Sequence, residues 1–233
     1  CQVATKSRFH LGLGDRKAIY TAFPGSVPAA AVIDTDVCKH FTDGSCDACV
    51  AACPFQAIDF DDKDEMLEFK SGAVIVATGY DTVDPSEISR LGYGKIENVY
   101  VMPEFERIAS SNGPYGGDIH LRNGKKPQSM AVIHCVGSLG GEGAPYCSGV
   151  CCTVAAKAGE LLRKQVPEAK VYNIHDRLVF NGPAEDEFYQ HQIKEGTRFL
   201  KVSDFSTVNI SSDGEAIAVA ADGMEPVNVD MVV

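Results

Sequence analysis

With 233 residues the chain has room for one large domain or two small ones, and its 45% hydrophobic content supports a folded core. A formal charge of −11 speaks against nucleic-acid binding, which needs Lys and Arg clustered over phosphates; the acidic surface reads as solubility. The longest apolar runs, Gly72–Thr78 and Met130–Gly137, are strand-sized and far short of the roughly 20 residues of a membrane-spanning helix. Basic residues in Cys1–His10 are followed by no apolar block, so the start does not read as a secretory signal and a cytoplasmic location is expected. The first residue is Cys, and Val227–Val233 stops in an apolar run, so both ends read as cut.

Nine cysteines in such a chain point to metal or redox chemistry more than to disulfides. Cys1 stands apart, four lie in Cys38–Cys53 and four in Cys135–Cys152. The first set, Cys38, Cys46, Cys49 and Cys53 before Pro54, is spaced C-x7-C-x2-C-x3-C-P. Apart from its long first gap, this is the run C-x2-C-x2-C-x3-C-P, in which a tight loop turns three thiolates toward one cubane and the fourth commonly serves another. Ala57–Phe60 then reads as a short strand. A four-cysteine zinc site is the alternative. The run with its trailing proline favours iron–sulfur, and the extra residues within Lys39–Ser45 make Cys38 the least certain ligand.

Further along, Ser71–Tyr80 is a continuous apolar stretch ending in Ala77, Thr78 and Gly79, as expected of a strand buried on both faces of a parallel α/β sheet. Small residues at such a strand end let the backbone approach a cofactor, and these three match a signature of flavoproteins that bind two dinucleotides. A second strand, Met130–His134, enters a loop with Gly137, Gly140, Gly141 and Gly143. This is only loosely a Rossmann first turn, because G-x-G-x-x-G is absent and cysteines occupy the phosphate-binding region, so nicotinamide binding is disfavoured. The second cysteine set, Cys135, Cys147, Cys151 and Cys152, is spaced C-x11-C-x3-C-C and leads into a helix expected over Ser148–Gln165. There Cys147 and Cys151 share a side, and exposed N–H groups with the helix dipole favour thiolates. Simple packing of small buried cysteines is the competing reading. Lys157 falls on the same helix face as Val150 and Val154, read as the apolar one.

A strand over Lys170–His175 completes a β-α-β unit, and Glu185–Lys194 reads as a helix. Thr197–Val202, Ser206–Ile210, Ala216–Ala221 and Val227–Val233 alternate with turns such as Asp213-Gly214 and Asp222-Gly223, giving an antiparallel meander. His134 and His175, each at a strand end, read as core or rim residues more than as ligands. A boundary is placed near Asp62–Phe69.

Together these motifs resemble the A-subunit family of heterodisulfide reductase and its relatives in the quinone-interacting complex of sulfate reducers. The landmarks are L-G-D-R-K-A-I-Y at Leu13–Tyr20, the cysteine run, Gly72–Tyr80, E-F-E-R at Glu104–Arg107, G-P-Y-G-G at Gly113–Gly117, C-V-G-S at Cys135–Ser138 and Y-C-S-G-V-C-C at Tyr146–Cys152. The resemblance implies a thioredoxin-reductase-like FAD/Rossmann fold with an inserted ferredoxin-like domain. Residues 1–67 would be part of that insertion, 68–130 an FAD-domain segment and 131–233 a second Rossmann-like segment carrying the C-x11-C-x3-C-C motif. It implies [4Fe–4S] clusters and FAD, with the second cysteine set near the flavin and Cys1 joining Cys38, Cys46 and Cys49 while Cys53 serves a cluster with ligands upstream. Lys157 would approach the flavin and stabilise its reduced anion; Glu104 or Glu106 would be an acid at the same site. The implied activity is that of an oxidoreductase component passing or bifurcating electrons between FAD and clusters. It would work in a hetero-oligomer with other heterodisulfide reductase-type subunits and a hydrogenase or formate dehydrogenase. The alternatives are a flavoprotein relay toward quinone or adenylylsulfate reductase, and a zinc-holding structural piece.

Overall fold

The computed structural model describes residues 1–63, 65–139 and 143–233, so Gly140 and Gly141 of the glycine-rich loop lie outside the described residues. The chain divides into two compact units, Cys1–Asp81 and Thr82–Val233.

In the first unit β1 (Ala4–Lys6) pairs antiparallel with β2 (Asp15–Lys17), and β3 (Ile19–Thr21) with β4 (Ala31–Ile33). The Arg16 guanidinium pairs with the Asp34 carboxylate and lies 3.9 Å over the Tyr20 ring. That pairing holds the Asp34 carboxyl below the usual carboxylate range. Two short helices follow, α1 (Lys39–Asp43) and α2 (Ala48–Ala52). The long gap between Cys38 and Cys46 is therefore mostly one helical turn, with Cys38 as the residue that precedes it. His40 Nδ1 lies 2.7 Å from Asp47 Oδ1, and its ring stacks on Phe60.

Two sequence expectations fail here. Neither Ala57–Phe60 nor Ser71–Tyr80 forms a strand, and Val74, Ile75 and Val76 are 80%, 91% and 78% exposed. A strand exists only through hydrogen bonds to a neighbour. Among the described residues nothing pairs with either segment, and apolar composition alone supplies no partner.

After two 3-10 turns, Pro85–Glu87 and Ser89–Leu91, the second unit runs through α3 (Met102–Ala109), β5 (Ser129–Ile133), α4 (Cys151–Gln165), β6 (Lys170–His175), α5 (Pro183–Lys194) and β7 (Arg198–Lys201). It ends with β8 (Asn209–Ser212), β9 (Ile217–Ala221), β10 (Met224–Val229) and β11 (Met231–Val232). β5, α4 and β6 form the expected unit, with β5 parallel to β6 from Ser129↔Lys170 to Ile133↔Ile174. β7 continues the parallel sheet beside β6, and β11 adds on the other side beside β5, giving the order β11-β5-β6-β7. The fold is thus mixed α/β around a parallel sheet, compatible with a Rossmann-like arrangement. Only β8, β9 and β10 form the antiparallel meander. The first of the strands expected there belongs to the parallel sheet instead, and the last divides, Val227–Val229 pairing in the meander and Met231–Val232 in the parallel sheet, because alternation and turns specify a strand without choosing its partner.

Side chains alternate across the sheet. Ala131 and Ile174 face the meander and share a core with Val208, Ile210, Val219 and Val229. Val171 faces the other way, against α4: a Cβ built on Gly159 would lie 2.8 Å from Val171 Cγ1. Helix and sheet approach so closely there that only glycine fits. Cys152, Ala155, Ala156, Ala158, Gly159 and Leu162 form the buried face of α4.

Candidate metal centre

Three elements meet where the second cysteine set lies: the end of β5, the start of α4 and the segment after β6. The period of two that turns Val171 toward α4 also turns Asn173 that way, and the same alternation along β5 places His134 beside it. His134 is 2% exposed, its backbone N–H donates to the Ile174 carbonyl at 2.9 Å, and its Nε2 lies 2.7 Å from Asn173 Oδ1. The next residue, Cys135, has φ +58, a left-handed backbone that few residues other than glycine adopt. α4 then begins at Cys151, one turn later than expected, so Cys147 precedes the helix.

A ring nitrogen of His134 and the sulfurs of Cys151 and Cys152 lie within 4.8 Å of one another. Cys135 adjoins them through a hydrogen bond with Cys151. Hydrogen bonds from the thiols of Cys135 and then Cys152 hold the Cys151 thiol far below the ordinary thiol range, with Ser148 assisting. The same bonds, followed by burial, push Cys135 and Cys152 up. Backbone N–H groups also aim at sulfur: Val179 donates to Cys152 Sγ at 3.4 Å and Gly149 to Cys147 Sγ at 3.3 Å. Soft sulfur donors, a buried imidazole and converging N–H groups suit an iron–sulfur group or zinc. Beside Cys135 a cleft of about 310 Å³ opens, lined also by Arg90, Leu91, Gly137, Asp176 and Phe205.

The other expected site residues are placed differently. Cys1 is exposed, Cys38 is buried, and Cys46, Cys49 and Cys53 are half-buried. Among the described residues these cysteines form no group of three donor atoms within 4.8 Å. The N–H of Ala57 donates to Cys53 Sγ at 3.4 Å and, with the N–H of Phe55, lowers that thiol's pKa. Ala77, Thr78 and Gly79 are exposed.

The two acids of E-F-E-R separate cleanly. Glu104 is buried, accepting from the Val101 N–H at 2.9 Å and the Tyr93 hydroxyl at 3.1 Å, so it closes the start of α3. Burial and then the Glu104 carboxylate push the Tyr93 phenol up to about 12. Glu106 is the partner of Lys157, 3.8 Å from its Nζ. Lys157 does share a stripe with Val150 and Val154, but that stripe is the outward one, with Val150 61% exposed and Lys157 exposed. The small residues of α4, not its valines, face the sheet.

His134, read from the sequence as a core or rim residue more than a ligand, is buried and also places a ring nitrogen beside the sulfurs of Cys151 and Cys152. Its signal was present, two residues beyond Val132 on a strand leading directly into Cys135.

No family model matches the chain. Among curated proteins it is 37% identical over 204 residues to the A subunit of the H(2):CoB-CoM heterodisulfide,ferredoxin reductase of Methanothermobacter thermautotrophicus, covering 86% of this chain and 30% of that one. Methanopyrus kandleri has two iron-sulfur A subunits of CoB--CoM heterodisulfide reductase, numbered 1 and 2. To number 2 the chain is 39% identical over 204 residues, with the same coverage. To number 1 it is 36% identical over 240 residues, covering 95% of this chain and 35% of that one. The chain belongs to the A-subunit family of heterodisulfide reductase. It spans about a third of the length of the relatives it matches. Among the described residues no helix is long and apolar enough to cross a membrane.

Proposed function

We propose that this chain is the part of a heterodisulfide reductase-type electron-transfer protein that holds an iron–sulfur centre at Cys135, Cys147, Cys151 and Cys152. The observation that carries the reading is the meeting of Cys135, Cys151 and Cys152 where β5 ends and α4 begins. A [4Fe–4S] group bound there supplies one-electron transfer. The chain's own residues do the rest. Cys151 is set up as a thiolate by its neighbours, and the N–H groups of Val179 and Gly149 soften the negative charge on sulfur. Cys152, Ala155 and Ala156 keep water from the inner side. The cleft beside Cys135 gives an electron partner a way in.

Cys38, Cys46 and Cys49, joined by Cys1, are proposed to hold a second cubane in a ferredoxin-like insertion within residues 1–67, with Cys53 serving a further one. FAD is the proposed second cofactor, met by the backbone at Ala77–Gly79. Lys157, with Glu106 as counter-charge, is the proposed cation that steadies reduced flavin. Residues 68–130 and 131–233 would be the FAD-domain and second Rossmann-like segments. The relatives' names carry H(2), ferredoxin and CoB-CoM heterodisulfide, and formate in a further one. Donors of that class, delivered by hydrogenase- or formate dehydrogenase-type partners in the cytoplasm, are the proposed source of electrons. Bifurcation at the flavin is part of this proposal; a simple relay is the runner-up.

The test is anaerobic purification with iron, sulfide and flavin quantified, followed by EPR after dithionite reduction. Flavin with reducible cubanes, one of them missing in Cys151→Ala, is expected. Colourless protein with stoichiometric zinc would overturn the reading in favour of a structural module.

A further inference from the structure

Two buried polar atoms beside the cysteine centre have no hydrogen-bond partner, Nδ1 of His134 and Nδ2 of Asn173. They belong to the two side chains joined by the 2.7 Å contact between His134 Nε2 and Asn173 Oδ1. With the carboxamide oxygen as acceptor, Nε2 carries the proton and Nδ1 presents a bare lone pair. A lone pair is ill matched to this place, because a ring nitrogen of His134 and the sulfurs of Cys151 and Cys152 lie within 4.8 Å of one another, and ligating sulfurs are negatively charged acceptors. Half a turn of the Asn173 carboxamide reverses the pair. Asn173 Nδ2 then donates to Nε2, and the ring, which burial keeps neutral, carries its proton on Nδ1. Two unserved groups are exchanged for one, the carboxamide oxygen, and the Nδ1–H becomes a buried donor with sulfur as its neighbour.

We propose that His134 is a hydrogen-bond donor to sulfur of the iron–sulfur centre, its Nδ1–H serving the negative charge on the ligating sulfurs and Asn173 holding the ring in that tautomer. Cys135, Cys147, Cys151 and Cys152 remain the ligands, and His134 tunes the centre without binding metal. The backbone N–H groups of Val179 and Gly149 already donate to the sulfurs of Cys152 and Cys147. His134 adds a donor from a buried side chain, one that a single substitution removes. Reduction adds a negative charge to the group, and a donor fixed beside sulfur where water is excluded favours the reduced form over the oxidised one. The reduction potential is therefore higher with the imidazole N–H than without it.

This inference rests on the reading that the four cysteines bind an iron–sulfur group, and one experiment separates the two. Protein labelled with ¹⁵N-histidine is purified anaerobically with its cofactors, reduced, and measured by pulsed EPR, with Cys151→Ala marking the signal of this centre. Weak coupling to a histidine nitrogen that is hydrogen-bonded and not metal-bound is expected, and it should vanish in His134→Leu while the centre's iron is retained. In His134→Leu the one-electron reduction equilibrium should become about tenfold less favourable, a fall of about 59 mV in midpoint potential. His134→Asn, whose carboxamide N–H can stand in for Nδ1–H, should recover most of that fall. An equal fall in both variants would reduce His134 to a packing residue. In the unmutated protein, a Cys151-dependent iron signal with strong nitrogen coupling, or with none, would overturn the donor role and leave the iron–sulfur reading standing. Absence of any Cys151-dependent iron signal would overturn both.

Discussion

The two cysteine quartets make opposite demands on sequence and fold. Cys38, Cys46, Cys49 and Cys53 carry the stronger spacing signal, yet they lie in or beside two five-residue helices, neither of which contains a buried residue. Cys135, Cys147, Cys151 and Cys152 have the looser spacing, yet three of them meet beside a buried strand and a helix of 15 residues. A tight-loop motif encodes its geometry locally and leaves the metal to organise it. The second set is organised by tertiary packing, so its support is in place independently of what it binds.

The largest expected effect tests the independence of the two sets. Cys151→Ala should remove one cubane's iron and its EPR signal while leaving the signal of the first set, and Cys49→Ala should do the reverse; joint loss in either variant would break the comparison. Next, removing iron with a chelator should strip hydrogen-exchange protection from 38–53 but leave it across the buried face of α4, since only the latter is held by burial. Equal loss in both segments, followed by mass spectrometry, would mean that α4 too depends on metal. Third, Gly159→Val should destabilise the second unit by about 2 kcal/mol through overpacking against Val171. Denaturant unfolding should show the loss, with the first quartet's iron content unchanged.

The smallest effect concerns α3 and distinguishes its two acids. Glu104→Gln should cost about 1 kcal/mol, while Glu106→Gln should leave stability unchanged within error. Tyr93 provides the optical readout. Its folded-state phenol, at about 12, lies above the ordinary value near 10, so the stability it contributes is full below about pH 10 and is lost as pH rises through about 12. In Glu104→Gln its phenolate absorbance should appear at lower pH, moving only part of the way back because burial, the larger cause, remains. No movement at all would place Glu104 away from Tyr93 in solution.

Strand and helix periods, cysteine spacing and motif order are local properties, and from them alone the β5–α4–β6 unit, the family and the two cysteine sets could be read, with Lys170–His175 placed to the residue. Partnership could not be read in this way. Arg198–Lys201 and Met231–Val232 look like meander strands but hydrogen-bond into the parallel sheet, and Ser71–Tyr80 looks like a core strand but has no ladder among the described residues. Glu104 and Glu106 are two letters apart, and only the turn of α3 sends one inward to Tyr93 and the other toward Lys157. His134 is a strand residue by pattern; the register Val132↔Asn173 brings Asn173 next to it, and the packing of α4 sets Cys151 and Cys152 against its ring. Contacts between residues distant in the chain depend on which faces are buried together, and that is a property of the folded whole.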